Sequence, residues 1–340
     1  MPGIIGYGVY IPKYRLKVDD AARVWGAGGK GEKSVCGADE DIITMAAEAA
    51  EKAIHHAGID TAAIEAIHLG TSSAPFIEKH LAPILAETLA LPPETSMIDY
   101  CGSPNAASLA LLGCVDAIGA GRIKCGLVIG TDNRAAAPGS EGETSFGAGA
   151  AAFVIGNDGT IADIEGMHTH STLFTDRWRA ASDGFVANYF DMRFDREYGY
   201  EKHIVGAGRG LMGKLGRKGE DFNYVAMQQP DGRLPAAAAR RLGIKSEQLA
   251  AGTVLPAFGD LGSCSAFIGL AAILEKAKPG ERILVATYGS GSSLAMSLLV
   301  RDGVVKKKRS VPLEKYHKRK EYIDYPTYLK LAGAIKRAPY

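Results

Sequence analysis

MIDYCGSPNAASLALLGCVDAIGAGRIKCGLVIGTDN, residues 97–133, is the stretch around which the rest of the chain is read. Residues 96–100 form a short strand-like run, and 101–104 (Cys-Gly-Ser-Pro) a turn. The spacing of apolar residues then predicts a helix over about 105–118, with Pro104 at its first turn, where a helix tolerates proline. Gly119-Ala120-Gly121 stops that helix, and 124–130 reads as a buried strand. Cys101 is thereby placed at a strand-to-helix turn. The positive end of a helix would favour thiolate over thiol, and thiolate is the nucleophile. A buried structural cysteine is the other reading of the same residue.

The stretch recurs once. Shifted by 160 positions, Leu261-Gly262-Ser263-Cys264-Ser265-Ala266 lies over Cys101-Gly102-Ser103-Pro104-Asn105-Ala106, and Arg282-Ile283 over Arg122-Ile123. A turn, an apolar helix and a buried strand repeated at this separation predict two related halves. Only the first carries a thiol at the turn, because Leu261 stands in the place of Cys101.

With 340 residues the chain is long for one core and suits two domains or a duplicated one. A net charge of +1 argues against whole-protein attraction to nucleic acid. The five cysteines are odd in number and contain no CxxC pair, so neither a disulfide framework nor a zinc ribbon is predicted. No leader is apparent, and no apolar run reaches the ~18 residues that a membrane span needs. Cytoplasmic localisation without membrane contact is the expectation.

From the start, 3–11 predicts a glycine-interrupted strand, 18–25 a short helix, and the glycine- and lysine-rich 26–37 a mobile loop. Residues 42–57 predict a strong helix behind Asp39-Glu40-Asp41, 64–70 a buried strand, 81–89 a helix and 147–155 a small-residue strand. Thr169 to His203 is rich in aromatics and charges and reads as an insertion covering a site. Strands at 224–227 and 283–287 and a helix at 234–242 complete an α/β layered pattern. The halves divide as 1–165 and 166–340.

Several segments in order, IIGYGVYIPKYRLK, CGADEDIITMAAEAA, IKCGLVIGTD, QPDGRLP, LEKAKPGERILVATYGSGS and EYIDYPTYLKL, resemble the archaeal-type 3-hydroxy-3-methylglutaryl-CoA synthases of the thiolase superfamily. The resemblance implies a thiolase-like duplicated α-β-α-β-α five-layer fold. It implies an acyl-thioester on Cys101, a coenzyme A thioester as substrate, and no permanently bound cofactor. It further implies a homodimer, with a thiolase and an OB-fold zinc-ribbon protein as partners.

At other catalytic positions the chain departs from the pattern that the resemblance implies. Ser72 stands where a proton-moving glutamate is expected, Gln228 where a histidine is, Asp260 where an asparagine is, and Asp195 where a threonine would line the acyl pocket. Serine and glutamine take no proton at neutral pH, whereas a positioned base is worth roughly 10²–10⁴-fold in rate. Gln228 could still donate to a thioester oxygen. Thr144, Arg233 and Ser290 match ligand-contacting positions, and Arg233 could grip a CoA phosphate. These residues support acyl transfer through Cys101, or an altered carbon–carbon condensation; the other reading is a non-catalytic or half-site subunit of a larger complex. Asp195 and Asp260 together predict an acidic pocket that disfavours anionic acyl chains.

The Gly-Ser-Gly after 283–287 lacks the third glycine and following helix of a dinucleotide site. His168-Thr169-His170 puts two imidazoles on one strand face, read as exposed rather than as metal ligands. His55, His56 and His203 read as helix-surface residues, and His80 as a remote substitute for the missing base. The basic run 306–309 reads as a solvated edge, a partner's docking surface or a contact for CoA phosphates, with nucleic acid remote.

Overall fold

The computed structural model describes residues 2–26, 29–189, 191–307 and 311–336. Nine strands form one mixed sheet. Their order across it is Tyr224–Met227, Arg282–Gly289, Ser292–Val300, Ala162–Ser171, Gly3–Tyr10, Ala148–Gly156, Cys125–Asn133, Ala66–Thr71 and Ser96–Cys101. Only Gly3↔Asp163 and Ile4↔Ala162 pair across the middle, so the sheet folds into two halves there.

Side chains alternate between the two faces of these strands, as the pleat requires. Leu127, Ile129, Ala152 and Val154 join the helix Ile42–Ala57 in one core. Their neighbours Val128, Phe153 and Ile155 join a central core with the helices Ala106–Gly119 and Ser265–Leu274. Ile283, Val285, Leu294 and Met296 enter that central core from the other half, while Leu284, Ala286 and Ala295 face the helix Lys202–Leu215. Helix, sheet, helix, sheet, helix is the resulting order of layers, and the two copies of the repeat supply the central helices.

Local chemistry explains the elements. The Asp41 side chain caps Ile43 N and Thr44 N at 2.9 and 2.8 Å, and Thr44 Oγ1 accepts from Asp41 N. Gly58 ends the same helix in the left-handed region. That helix lies directly on the first strand: a Cβ on Gly8 would sit 2.2 Å from Ala49 O, and one on Gly6 2.4 Å from Ala57 N. The glycines in 3–11 therefore mark a close approach of two backbones.

Other expectations need correction. Residues 26–37 are not simply a mobile loop, because Glu32–Val35 is a strand with Lys33 and Ser34 buried. It pairs with Tyr14–Lys17, which also pairs with Glu321–Tyr322. His56 is buried and accepts a hydrogen bond from Tyr7 N at 3.1 Å, and His203 is fully buried. His168 and His170 are partly buried, each facing a glycine of the helix Lys202–Leu215. In the basic run, Lys307 Nζ donates to Ile5 O and Ala57 O, which makes it an anchor rather than a solvated charge. Lys308 and Arg309 lie outside the described residues. Among the described residues no helix is long and apolar enough to cross a membrane.

Candidate active site

Cys101 ends the edge strand Ser96–Cys101, and residues 102–105 separate it from the helix Ala106–Gly119. The turn is anchored from the opposite half. Asn105, fully buried, donates through Nδ2 to Ser292 Oγ at 3.0 Å and accepts from Thr287 Oγ1 at 2.7 Å. Gly289 has no room for a Cβ, which would lie 2.5 Å from Asn105 N. The next residues, Ser290 and Gly291, both have positive φ (47° and 74°) and close the hairpin between Arg282–Gly289 and Ser292–Val300. Ser290 holds this conformation without being glycine, which marks the tip as strained.

A cavity of about 110 Å³ opens beside this turn. Its wall includes Ser72, Gly102, Pro104, Gln228, Asp260 and Ser290. The aromatic insertion contributes Asp176, Arg177, Trp178 and Asp195, so residues from 169–203 do cover the site. That segment is more ordered than an irregular insertion. A two-stranded ribbon, Arg177–Trp178 with Ala187–Asn188, is followed by the π-helix Asp195–Glu201.

Cys101 is exposed. Partial burial of the sulfur pushes the thiol's pKa up, and the carboxylates of Asp99 and Asp132 push it further. Ser72 is committed elsewhere: its N and Oγ both donate to Asp132, at 2.8 Å each. Fully buried Asp132 also accepts from Thr71 Oγ1, Ser73 Oγ and Ser263 N. It pins the first-half strand ends to the turn of the second copy. A Cβ on Gly262 would lie 2.2 Å from it.

Gln228 is buried and donates through Nε2 to Gly262 O at 2.7 Å. The donor expected for a thioester oxygen is thus engaged with backbone, while Oε1 is buried without a partner. Asp260 is buried against Arg134, whose Nη2 lies 2.5 Å from Oδ2, with Arg177 at 3.6 Å. Arg134 in turn lies over the Phe146 ring, 3.9 Å from its centroid. Three arginines (134, 177, 179) balance three aspartates (176, 195, 260) in the wall, which overturns the acidic pocket. Asp195 is the first residue of the π-helix; its Oδ1 is buried without a partner, and burial, then Asp176, raises its pKa to about 6.

Two predicted ligand residues lie apart. Thr144 donates to Glu141 O within the helix Glu141–Ser145, away from the cavity wall. Arg233 borders a separate groove of about 900 Å³ with Arg196, Arg240 and Arg241. His80 stands 3.7 Å from Asp99, outside the cavity wall. Among the described residues no group of three His, Cys, Asp or Glu could hold a metal ion. Sequence reasoning missed Asp132 and Arg134. Their signal was charge at the end of the strand Cys125–Asn133 and directly after it, in an otherwise small and apolar run.

Hydroxymethylglutaryl-CoA synthase of Methanothermobacter thermautotrophicus is 39% identical over 99% of this chain and 100% of its own length. The chain belongs to the hydroxymethylglutaryl-CoA synthase family. The enzyme of the same name from Methanocaldococcus jannaschii is 38% identical, again over 99% of this chain and all of its own. The 3-oxoacyl-(acyl-carrier-protein) synthase III C-terminal family model matches residues 212–301. MvaS in complex with 3-hydroxy-3-methylglutaryl coenzyme A superposes with a TM-score of 0.88 at 21% identity, over 97% of this chain and 91% of that one. The 3-oxoacyl synthase III of Aquifex aeolicus gives 0.79 at 23%, over 88% and 100%. The fold is therefore thiolase-like, as the sequence predicted, and family membership makes the chain an acyltransferase of the hydroxymethylglutaryl-CoA synthase type.

Proposed function

We propose that the chain transfers or condenses acyl groups delivered by coenzyme A thioesters, carrying the acyl group on Cys101. The observation that carries this reading is the pair of orphaned acceptors, Gln228 Oε1 and Asp195 Oδ1, in the wall of a cavity bounded by Gly102 and Pro104. A buried polar atom without a partner costs stability, and such atoms persist where a ligand completes them. In the groove beside Arg233, Arg196 and Arg241 are paired with Glu197 and Glu201, and Arg233 and Arg240 suit the phosphates of the CoA tail, since guanidinium forks match phosphate oxygens. The five free cysteines suit a reducing cytoplasm.

A second reading has its own support. The Cys101 thiol is exposed and its pKa is raised, as befits a half-site subunit activated only on assembly. A second copy, a thiolase or an OB-fold zinc-ribbon protein would be the partner. Intact mass after incubation with acetyl-, malonyl- and aromatic acyl-CoAs separates the two. The first reading expects an adduct that Cys101→Ala abolishes; no adduct from any donor, with partners supplied, supports the second.

A further inference from the structure

We infer that Asp195 is the base that takes the α-proton from the acyl group held on Cys101, in place of the glutamate whose position Ser72 occupies. This rests on the acyl-Cys101 reading above. The proton-handling groups in and around the cavity narrow to this one. Ser72 gives its hydroxyl proton to the Asp132 network. Asp260 is locked to Arg134. Asp176 accepts a hydrogen bond from Arg177 N at 2.9 Å. Gln228 has no basic atom. His203 is buried between Thr172, at 2.8 Å, and Gly199 O, outside the cavity wall. Among the described residues Asp195 is the one carboxylate that pairs a place in the wall with a buried oxygen that nothing in the protein satisfies.

The backbone supports the assignment. Asp195 opens a π-helix, a local widening of the helical turn found frequently at functional sites. Its N–H is satisfied by Asp191 O at 2.9 Å, which leaves the side chain as the variable part of the residue. The charged groups facing it are Asp176, Arg177, Asp191 and Glu141, with the Tyr288 phenol nearby. Burial, and then three carboxylates against one guanidinium, keep Asp195 a usable base near neutral pH rather than a spent one.

In the step itself, the α C–H bond of an acetyl group thioesterified to Cys101 breaks. The proton moves to an Asp195 carboxylate oxygen, and the electron pair becomes an enolate with its charge on the thioester oxygen. With a second acyl-CoA bound, the enolate carbon attacks that molecule's thioester carbonyl carbon, the C–S bond to coenzyme A breaks as the carbonyl re-forms, and the departing thiolate takes the proton from Asp195. Without an acceptor the proton exchanges with solvent and returns, so the reaction leaves only an isotopic trace. Short acyl-CoAs bearing an α-hydrogen are the substrate class.

The test incubates the full chain with acetyl-CoA in deuterated buffer and measures deuterium in the acetylated Cys101 peptide, counted per molecule of adduct. Wild type is expected to take up deuterium at a rate that rises with pH through about 6. Asp195→Asn should lower that rate by roughly 10²–10⁴-fold and flatten the pH profile, with Asp195→Glu recovering part of it. A merely structural role would leave the pH profile in place. Adduct that exchanges equally fast in Asp195→Asn, or a wild-type adduct that never exchanges, overturns the assignment while leaving acylation standing. No adduct on wild type overturns both.

Discussion

Arg134 and Asp260 show how far single residues depend on one another here. Both are buried, and Arg134 is the carboxylate's nearer cation, with Arg177 at 3.6 Å. Arg134→Met is expected to destabilise the fold by about 3–5 kcal/mol, because it takes the nearer partner from a buried charge. Asp260→Asn in the same chain should restore much of that loss. Urea unfolding of the two single variants and the double variant would show it; strictly additive losses would mean that the pair is not coupled. At this scale the sequence was only partly legible. That Asp260, Gln228, Ser72 and Asp195 share one cavity with the Cys101 turn was readable from the resemblance. That Asp260 is neutralised, that Ser72 is spent on Asp132 and that the Cys101 thiol is raised were not, since the first two depend on neighbours far away in the chain and the third on burial.

At the scale of elements, glycines set distances and a buried lysine sets a pH response. The helix that follows Cys101 rests on the strand Ala66–Thr71 at Gly70, where a Cβ would lie 2.3 Å from Ala107 Cα. Gly70→Ala is expected to cost roughly 1–3 kcal/mol by overpacking and to displace the helix carrying the turn. A lower melting temperature should therefore accompany slower acylation of Cys101; a wild-type melting temperature would refute the tight contact.

Lys33 is buried, donates to Tyr328 Oη at 3.0 Å, and has its pKa pushed down to about 7 by burial, with Glu143 resisting. The folded protein thus binds fewer protons than the unfolded chain between about 7 and the lysine's ordinary 10.5. Stability contributed at this site rises with pH across that window. Denaturant midpoints from pH 7 to 10 should climb for wild type and climb less for Lys33→Met; parallel curves would exclude Lys33 as the source. Strand and helix positions along the chain were visible from periodicity alone. The strand Glu32–Val35 was not, because glycines and lysines mask a four-residue element that exists through its partners Tyr14–Lys17.

Across the whole molecule, the C-terminal arm closes the structure onto its beginning. Tyr316 is buried with its hydroxyl on Val9 O, and Arg319 donates to Ile11 O at 2.8 Å. Lys320 pairs with Glu32 at 2.8 Å, and Tyr325 donates to Glu143 at 2.8 Å. Residues 182 to 308 positions apart meet here, so removing residues 311–340 should expose Leu16, Val35 and the buried Arg15 together. The truncated chain is expected to lose its single cooperative thermal transition or to aggregate on expression. A truncated chain that melts like wild type would show the arm to be dispensable.

Periodicity, capping residues and one repeated stretch determined the layered α/β architecture, because alternation and helix signals are written in neighbouring residues. The same stretch placed a thiol at the turn between strand and helix. Which proton-handling groups survive around that thiol was decided only when the chain closed up. Hydrogen bonds and charge pairs across more than 100 residues, such as Asp132 with Ser263 and Arg134 with Asp260, settle whether a side chain in the wall is free to act. Burial and neighbouring charge set that freedom, and both are properties of the packed molecule.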